Sequence, residues 1–431
     1  MRPERTTAAP PPITPQTVTR TELHNGLVVL VREQPASGMV AVQGFVKAGA
    51  MYDGDRSGVA RFATAVLPRG TRTRSSQEIA DALEGMGAAL SFRLDVEWIS
   101  ITFRALREDF RAAVEIFSDV LIEPTFPSDE VEKARGEILT AIRVGMQDTR
   151  HVAERAFRGL MFPAGHPHSR TPDGDEEVVS SVTPDELHAF HDARVRPEAT
   201  VLAIAGDVTA TDALSMIGER FSGWSRRGVW ALPPTPPVQR PDEPVRRDVR
   251  MTGKMQSDLV LGSPGVARTE AGYYEAMVAN LILGQIGLMG RLGDSVRERQ
   301  GMAYYAYSDL RAGLLAGPWW VRAGVNPKNE EPAIASIVEE LRLFQEQGPD
   351  ESELGDARDH LIGSLAVRLE TNAGIAQTLA DIELFSLGLD HLERYPAIIR
   401  RITAESVRRA AGRLSPDEYY VAIAGPPQGP P

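Results

Sequence analysis

Histidines are the residues in this sequence whose spacing first suggests chemistry. His188 and His191 lie three residues apart, with Glu186 and Asp192 nearby. On a helix this spacing places both imidazoles on one face, where they could bind a metal ion. Such a site would make the chain a stand-alone hydrolase. The alternative interpretation is an ordinary solvated helix.

Other chemical signals in the sequence are weaker. His166 and His168 flank a proline and favour a structural loop. Gly284, Gly287 and Gly290 are not followed by Lys-Ser/Thr, so they match no nucleotide-binding pattern. Cysteine is absent, which excludes disulfides, thiolate zinc sites, iron–sulfur clusters and a cysteine nucleophile.

The composition is that of an acidic globular protein. The 431 residues include 47 basic and 59 acidic side chains, for a net charge of -12, so nucleic acid is not an expected partner. No signal-peptide-length apolar stretch is visible, and the longest early apolar run, residues 27–31, is too short to span a bilayer. We expect a soluble protein without a membrane span, in the cytoplasm or periplasm of a bacterium.

A proline-rich segment divides the chain. Six of the twelve residues from 233 to 244 are proline, and such a stretch favours an extended polyproline conformation. We therefore predict an N-terminal domain at residues 1–232, a semi-rigid linker at 233–244 and a C-terminal domain at 245–431.

The two halves resemble each other in sequence. Residues 197–206 are echoed by residues 416–425, 219 positions later, and residues 183–187 are echoed by residues 403–407. Echoes in the same order at nearly one offset indicate a duplicated domain. We expect two homologous α+β domains.

Local patterns predict the elements that must position any site. Asn25-Gly26 before an apolar run predicts a hairpin, and Ser75 with Glu78 predicts a capped helix start. Further strands are predicted at 40–46, 98–103 and 201–205, and further helices at 110–121 and 129–144. Strands followed by several long helices predict, in each half, a mostly antiparallel sheet with helices packed on one face.

Residues 57–71 resemble the zinc-site helix of the insulinase and mitochondrial-processing-peptidase family, the inverzincins. That helix reads Gly-x-x-His-x-x-Glu-His, in which two histidines hold zinc and the glutamate takes a proton from the bound water. The resemblance places the first histidine at Arg61, the glutamate at Thr64 and the second histidine at Ala65. Considered without the resemblance, the segment is predicted to form an amphipathic helix that ends at Pro68. Both interpretations therefore predict a helix that binds no metal ion.

The resemblance places the third zinc ligand of the family, a glutamate in a later helix, at Ala141. Glu137 lies four residues earlier, about one helical turn away, and cannot hold zinc alone. All three ligands and the catalytic base are therefore lost. The resemblance implies that this chain binds no cofactor and that zinc is held by a partner subunit.

Residues 291–305 resemble the family's second signature, a helix ending in Arg-Glu-x-Arg-Gly-x-x-Tyr. The match gives Arg297 and Tyr304, with Gln300 in place of the usual basic residue. In the family this pair faces the zinc helix across a clam-shell chamber, and both side chains can donate to the oxygen that becomes an oxyanion. The alternative is a solvated helix face followed by tyrosines that pack a strand.

The resemblance covers nearly the whole chain and implies the non-catalytic subunit of a heterodimeric zinc metallopeptidase. Arg297 and Tyr304 would complete the active site of a partner chain that carries His-x-x-Glu-His. An unfolded peptide substrate would be held as an extra strand at a sheet edge. Alone, the chain is expected neither to bind zinc nor to cleave peptides. The alternative is a scaffold or peptide-binding protein resembling the metal-free core subunits of respiratory complex III, which would not need the pair.

Overall fold

Two β-sheets, one from each half of the chain, form the framework of the structure, a computed structural model that describes residues 12–287 and 290–427. Helices pack on both sheets, so the fold is α+β, as the sequence predicts. None of the helices in these ranges is long and apolar enough to cross a bilayer.

The first sheet has six strands in the order β1-β2-β6-β3-β5-β4. The strands are Thr19–Glu22 (β1), Val28–Glu33 (β2), Met39–Val46 (β3), Ala89–Leu94 (β4), Ile99–Leu106 (β5) and Thr200–Gly206 (β6). Neighbours are antiparallel except β2 and β6, which are parallel. The predicted hairpin at Asn25-Gly26 is confirmed as the β1–β2 turn, where Gly26 has a φ of +88° that glycine adopts without strain.

The second sheet repeats this pattern with five strands in the order β7-β11-β8-β10-β9. The strands are Val245–Arg250 (β7), Ser257–Pro264 (β8), Ala303–Ala312 (β9), Ala316–Val325 (β10) and Tyr420–Gly425 (β11). β6 and β11 each pair in parallel on one side and antiparallel on the other. These two strands lie in the similar segments 197–206 and 416–425. The repeated sequence therefore forms strands with equivalent positions in the two sheets.

Eight helices are described in the first half. They are Val59–Val66 (α1), Ser76–Gly85 (α2), Phe110–Ile122 (α3), Ser128–Gly145 (α4), Thr149–Met161 (α5), Glu176–Ser181 (α6), Pro184–Arg194 (α7) and Ala210–Phe221 (α8). α3 and α8 pack on one face of the sheet, and α1, α2, α4 and α7 form a second cluster that also contacts α3 and β4. The predicted cap of α2 is confirmed, since Ser75 Oγ accepts from the Glu78 N–H at 3.3 Å and Glu78 Oε2 accepts from the Ser75 N–H at 2.8 Å.

The helices described in the second half pack mainly on one face of the second sheet. They are Tyr273–Gly284 (α9), Gly290–Leu292 (α10), Glu330–Gln347 (α11), Glu351–Arg368 (α12), Asn372–Leu384 (α13), His391–Arg401 (α14) and Ala404–Ala411 (α15). α10 continues directly into a π-helix, Gly293–Arg299. The π-helix is an uncommon element that is frequently found at functional sites.

Each half of the chain contributes one helix that packs on the sheet of the other half. α5, from the first half, packs on β8 and β11 and buries Phe157 against Trp320. α13, from the second half, packs on β3 and β6 and buries Leu379 against Phe45. The helices predicted on one face of each sheet are present, and the exchanged helices cover the opposite face.

The proline-rich segment contains no helix or strand and contacts both halves. Just before it, Trp230 Nε1 donates to the Lys47 carbonyl at 3.1 Å. Within it, the Gln239 carbonyl accepts from the Tyr420 hydroxyl at 3.1 Å. The placement of the domain boundary at this segment stays a prediction.

Candidate functional site

The helix that resembles the zinc helix is α1, and its start is fixed by a partly buried carboxylate. Asp53 accepts the N–H groups of Gly58 at 2.8 Å and Ala60 at 2.7 Å, which pairs two of the donors that a helix leaves free at its first turn. Val59, Phe62 and Val66 are buried, as predicted. The core face of α1 therefore holds the helix in place without any metal.

The three family positions on α1 are occupied by groups that cannot bind a metal ion together. The Arg61 guanidinium forms an ion pair of 3.2 Å with Asp173, which lies in the loop between α5 and α6. The Thr64 hydroxyl is buried and donates to the Ala60 carbonyl one turn earlier, at 2.7 Å. Ala65 offers only a methyl group. A cation thus stands where the family has its first histidine.

The third-ligand position, Ala141, is exposed on α4, the helix that packs beside α1. Glu137, one turn earlier, is bound by Arg69 through two hydrogen bonds of 3.1 and 2.5 Å, which lower the pKa of its carboxyl group. Arg69 also donates to the Ala65 carbonyl at 3.1 Å. The nearest acidic side chain on α4 is therefore already paired with an arginine, and the residues at this site do not fit zinc. Across the described ranges, no group of three His, Cys, Asp or Glu residues could hold a metal ion.

Arg297 lies in the π-helix, near its C-terminal end. The Arg297 side chain is 37% exposed, and its ion-pair partner among the described residues is its neighbour Glu298, at 3.5 Å. An exposed pair of adjacent residues is weak, so the guanidinium remains available to another group. On the same helix, Arg299 is instead bound to Asp294 at 2.8 Å.

Tyr304 lies near the start of β9, the edge strand of the second sheet, and is 62% exposed. Its phenol makes no hydrogen bond to any residue in the described part of the chain. Alternation along the strand places Tyr304 on the face that carries Ala306 and Ser308, both buried against the helical layer. The π-helix that carries Arg297 packs against this same strand.

Tyr305 points to the other face of β9 and fixes the strand to the first half. Its hydroxyl donates to Asp258, and Arg150 on α5 donates to the same hydroxyl at 3.1 Å with its guanidinium 4.5 Å from the ring centre. Thr149 adds a hydrogen bond of 2.5 Å to Asp258. Burial, together with the hydrogen bond to Asp258, raises the pKa of Tyr305. No sequence pattern indicates this network, because Arg150, Asp258 and Tyr305 lie far apart in the chain.

The structure therefore places Arg297 and Tyr304 on adjacent elements and leaves both polar groups free of strong internal partners. No hydrogen bond joins the two within the described residues. Two donors without strong acceptors among the described residues, on elements in contact, could bind an oxyanion or a peptide carbonyl from another molecule. Their catalytic role stays a prediction.

The histidine pair on α7 has structural contacts. His191 is buried, and its Nε2 donates to the Leu121 carbonyl at 2.9 Å. His188 packs edge-on against Phe126 with ring centres 4.9 Å apart. The expectation of a solvated helix is wrong for His191, because this side of α7 packs on the core. The contacts give no support to a metal site here.

Two models of one peptidase family match consecutive ranges of the chain. A model of the insulinase family, peptidase family M16, matches residues 28–164, and a model described as the peptidase M16 inactive domain matches residues 181–361. Together these ranges cover well over half of the chain. The chain belongs to the insulinase (M16) family, as the sequence motifs predict.

Individual relatives agree with this assignment along nearly the whole chain. A protein of Mycobacterium leprae named an uncharacterized zinc protease is 28% identical, over 95% of this chain and 92% of its own length. The structure of a peptidase M16 inactive domain from Pseudomonas fluorescens superposes with a TM-score of 0.88 at 24% identity, covering 96% of this chain and 99% of the other. A Helicobacter pylori protease superposes with a TM-score of 0.87 at 17% identity, covering 95% and 99%. The predicted fold of two clam-shell-type domains is thereby confirmed.

Proposed function

We propose that this chain is the non-catalytic subunit of a two-subunit zinc peptidase. The observation that carries the proposal is the contrast between its two signatures. The positions for metal ligands hold Arg61, Thr64, Ala65 and Ala141, and the nearby charges are engaged in ion pairs. Arg297 and Tyr304, in contrast, remain as exposed donors without strong internal partners.

The partner in this proposal is a second family member that carries His-x-x-Glu-His and holds the zinc ion. The part of this chain is to bind the substrate carbonyl. Arg297 supplies a charged N–H donor and Tyr304 a neutral O–H donor, which together stabilise the negative charge that develops on the carbonyl oxygen. β9 is an edge strand, so an unfolded peptide can pair with its free backbone groups as an added strand.

The test uses the complex of this chain with a family member that carries His-x-x-Glu-His. Arg297→Ala and Tyr304→Phe should each lower kcat on an unfolded peptide by roughly 100- to 1000-fold, because each removes one oxyanion donor. Arg299→Ala is the matched control, since Arg299 lies on the same helix but is paired with Asp294. We expect the control to retain full turnover, and all three variants to assemble with the partner.

Two results would contradict the proposal. Unchanged turnover in both Arg297→Ala and Tyr304→Phe, with intact assembly, would indicate a scaffold instead. Stoichiometric zinc and peptidase activity in the purified, partner-free chain would show that the chain is itself the catalyst.

A further inference from the structure

A separate cavity lies among helices of the second half. It has a volume of about 410 Å³ and is lined by residues of α9, α12, α13 and α14, with Trp98 from the first half in its wall. Small-molecule sites typically have volumes of about 300–1,000 Å³. The cavity is therefore large enough for a small ligand and too small for a large cofactor.

Aromatic side chains form much of the wall of this cavity. Tyr274 and Tyr395 meet edge to face with ring centres 6.2 Å apart, and Trp98 and Phe385 do the same at 6.0 Å. Such rings provide flat apolar faces and polarised edges that favour a further aromatic ring. They also attract a ligand cation that lies over a ring face.

Two guanidinium groups line the same cavity. Arg268 lies 4.1 Å from the ring centre of Tyr273 and donates to the Tyr274 hydroxyl at 3.2 Å. Neither Arg268 nor Arg368 forms an ion pair with a carboxylate of the described residues. The wall therefore presents two positive groups that have no bound anion.

One acidic side chain faces these groups. Asp381 Oδ1 accepts from Gln377 Nε2 at 2.9 Å, while its Oδ2 has no hydrogen bond to any described residue. Burial raises the pKa of Asp381 to about 6, although the hydrogen bond from Gln377 and the charges of Arg368 and Arg268 act in the opposite direction. The carboxyl group thus lies in a poorly solvated place without a directly bound cation.

We propose that this cavity binds a free aromatic amino acid. The ligand carboxylate pairs with Arg268 and Arg368, the ammonium group binds Asp381, and the side chain packs against the tyrosine rings. Asp381 and Arg268 are partly buried, whereas Arg368 is exposed, and a zwitterion supplies a partner of each sign at once. A simple anion would leave Asp381 unpaired, and a simple cation would leave both guanidinium groups unpaired. The inference is independent of the proposed peptidase role, because it uses different residues and needs no partner chain.

The test is calorimetric titration of the full chain with L-phenylalanine at neutral pH. We expect saturable binding of one equivalent of L-phenylalanine. 3-Phenylpropionate and phenethylamine should each bind at least about 10-fold more weakly than L-phenylalanine, because each lacks one charge. L-Alanine should also bind at least about 10-fold more weakly, because it lacks the ring. Binding should raise the Tm, since the ligand bridges Trp98 of the first half and helices of the second.

Two substitutions separate the charge contacts. Asp381→Asn should weaken the binding of L-phenylalanine and of phenethylamine but not that of 3-phenylpropionate. Arg368→Gln should weaken the binding of L-phenylalanine and of 3-phenylpropionate but not that of phenethylamine. Arg400→Gln, on an exposed part of α14 outside the cavity, is the matched control and should bind as the unmodified chain does.

The analogue series on the unmodified chain keeps the inference testable even if a variant fails to fold. Absence of saturable binding by L-phenylalanine, L-tyrosine and L-tryptophan up to about 10 mM would overturn it. So would 3-phenylpropionate binding as tightly as L-phenylalanine, which would show that the ammonium group contributes nothing.

Discussion

The side chains at and near the positions that the resemblance assigns to the zinc ligands are engaged in other contacts. Arg61 is paired with Asp173, and Arg69 binds both oxygens of Glu137 while also reaching the Ala65 carbonyl. Each of these contacts is partly exposed, so each stabilises the fold by only about 0–1 kcal/mol. Their main effect is chemical, because they place positive charge where a divalent cation would have to bind.

Restoring the ligands tests whether the backbone of α1 and α4 still has the family arrangement. The triple variant Arg61→His, Ala65→His, Ala141→Glu should bind about one zinc ion per chain, because two histidines four residues apart face one side of a helix. The unmodified chain should bind none at this site. Metal content after dialysis, measured by atomic spectroscopy, checks both expectations.

The variant that restores only the two histidines is the control for the triple variant. It should lose zinc to a chelator more readily, because it lacks the third ligand. If the triple variant folds but holds no more zinc than the unmodified chain, the helices no longer have the required spacing.

At the scale of elements, the π-helix and β9 determine where the two donors lie. The π-helix positions Arg297, and β9 is held on its other face by Tyr305, Asp258 and Arg150. Because neighbouring residues of a strand point to opposite faces, the anchoring of Tyr305 fixes the direction of Tyr304. The anchor therefore positions the exposed tyrosine without contacting a substrate.

Deleting Gly293 should convert the π-helix into an α-helix that is one residue shorter. The change from π-type to α-type hydrogen bonds shifts the side chains of this segment around the helix axis, which moves the Arg297 side chain off its position. We expect turnover of the complex to fall as far as in Arg297→Ala, with the far-ultraviolet circular dichroism spectrum retained. Asp294→Ala, in the same helix at unchanged length, is the control, and equal turnover in both variants would exclude a role for the π-helix.

At the scale of the whole molecule, the halves are joined by exchanged helices and by several polar contacts, one of which uses the buried acid Glu97. Glu97, in the β4–β5 turn, is 2% exposed and accepts the N–H groups of Leu314 and Leu315, at 2.5 and 3.2 Å, in the β9–β10 turn. His168 lies 3.2 Å from the same carboxylate. Glu154 on α5 joins the halves a second time, through an ion pair of 2.9 Å with Arg322.

Glu97→Ala should lower the free energy of unfolding by roughly 2–4 kcal/mol, because it leaves two backbone donors without an acceptor in a buried place. The free energy of unfolding of Glu97→Gln should lie between the values of Glu97→Ala and of the unmodified chain, since one oxygen remains. Urea titration of the partner-free chain measures both. Glu108→Ala, at an exposed position, is the control, and a loss below about 0.5 kcal/mol for Glu97→Ala would show that this contact does not hold the halves together.

Much of the local structure could be predicted because it depends on neighbouring residues. The capping box at Ser75, the Asn25-Gly26 turn and the buried face of α1 are set by interactions over a few positions. The candidate site could be located only through its resemblance to family motifs. Periodicity and composition alone would have left Arg297 and Tyr304 as surface residues.

The sequence by itself determined the duplicated α+β architecture and the family, and it predicts the loss of the zinc ligands and the arginine–tyrosine motif, because these follow from residue types and short spacings. Tertiary structure alone decided that α5 and α13 are exchanged between the sheets, that Tyr305 is bound to Asp258 and Arg150, and that Glu97 closes the contact between the halves. These contacts join residues about 47 to more than 200 positions apart. Local patterns do not specify such partners, which are selected by the burial of apolar faces and the pairing of polar groups in the folded chain.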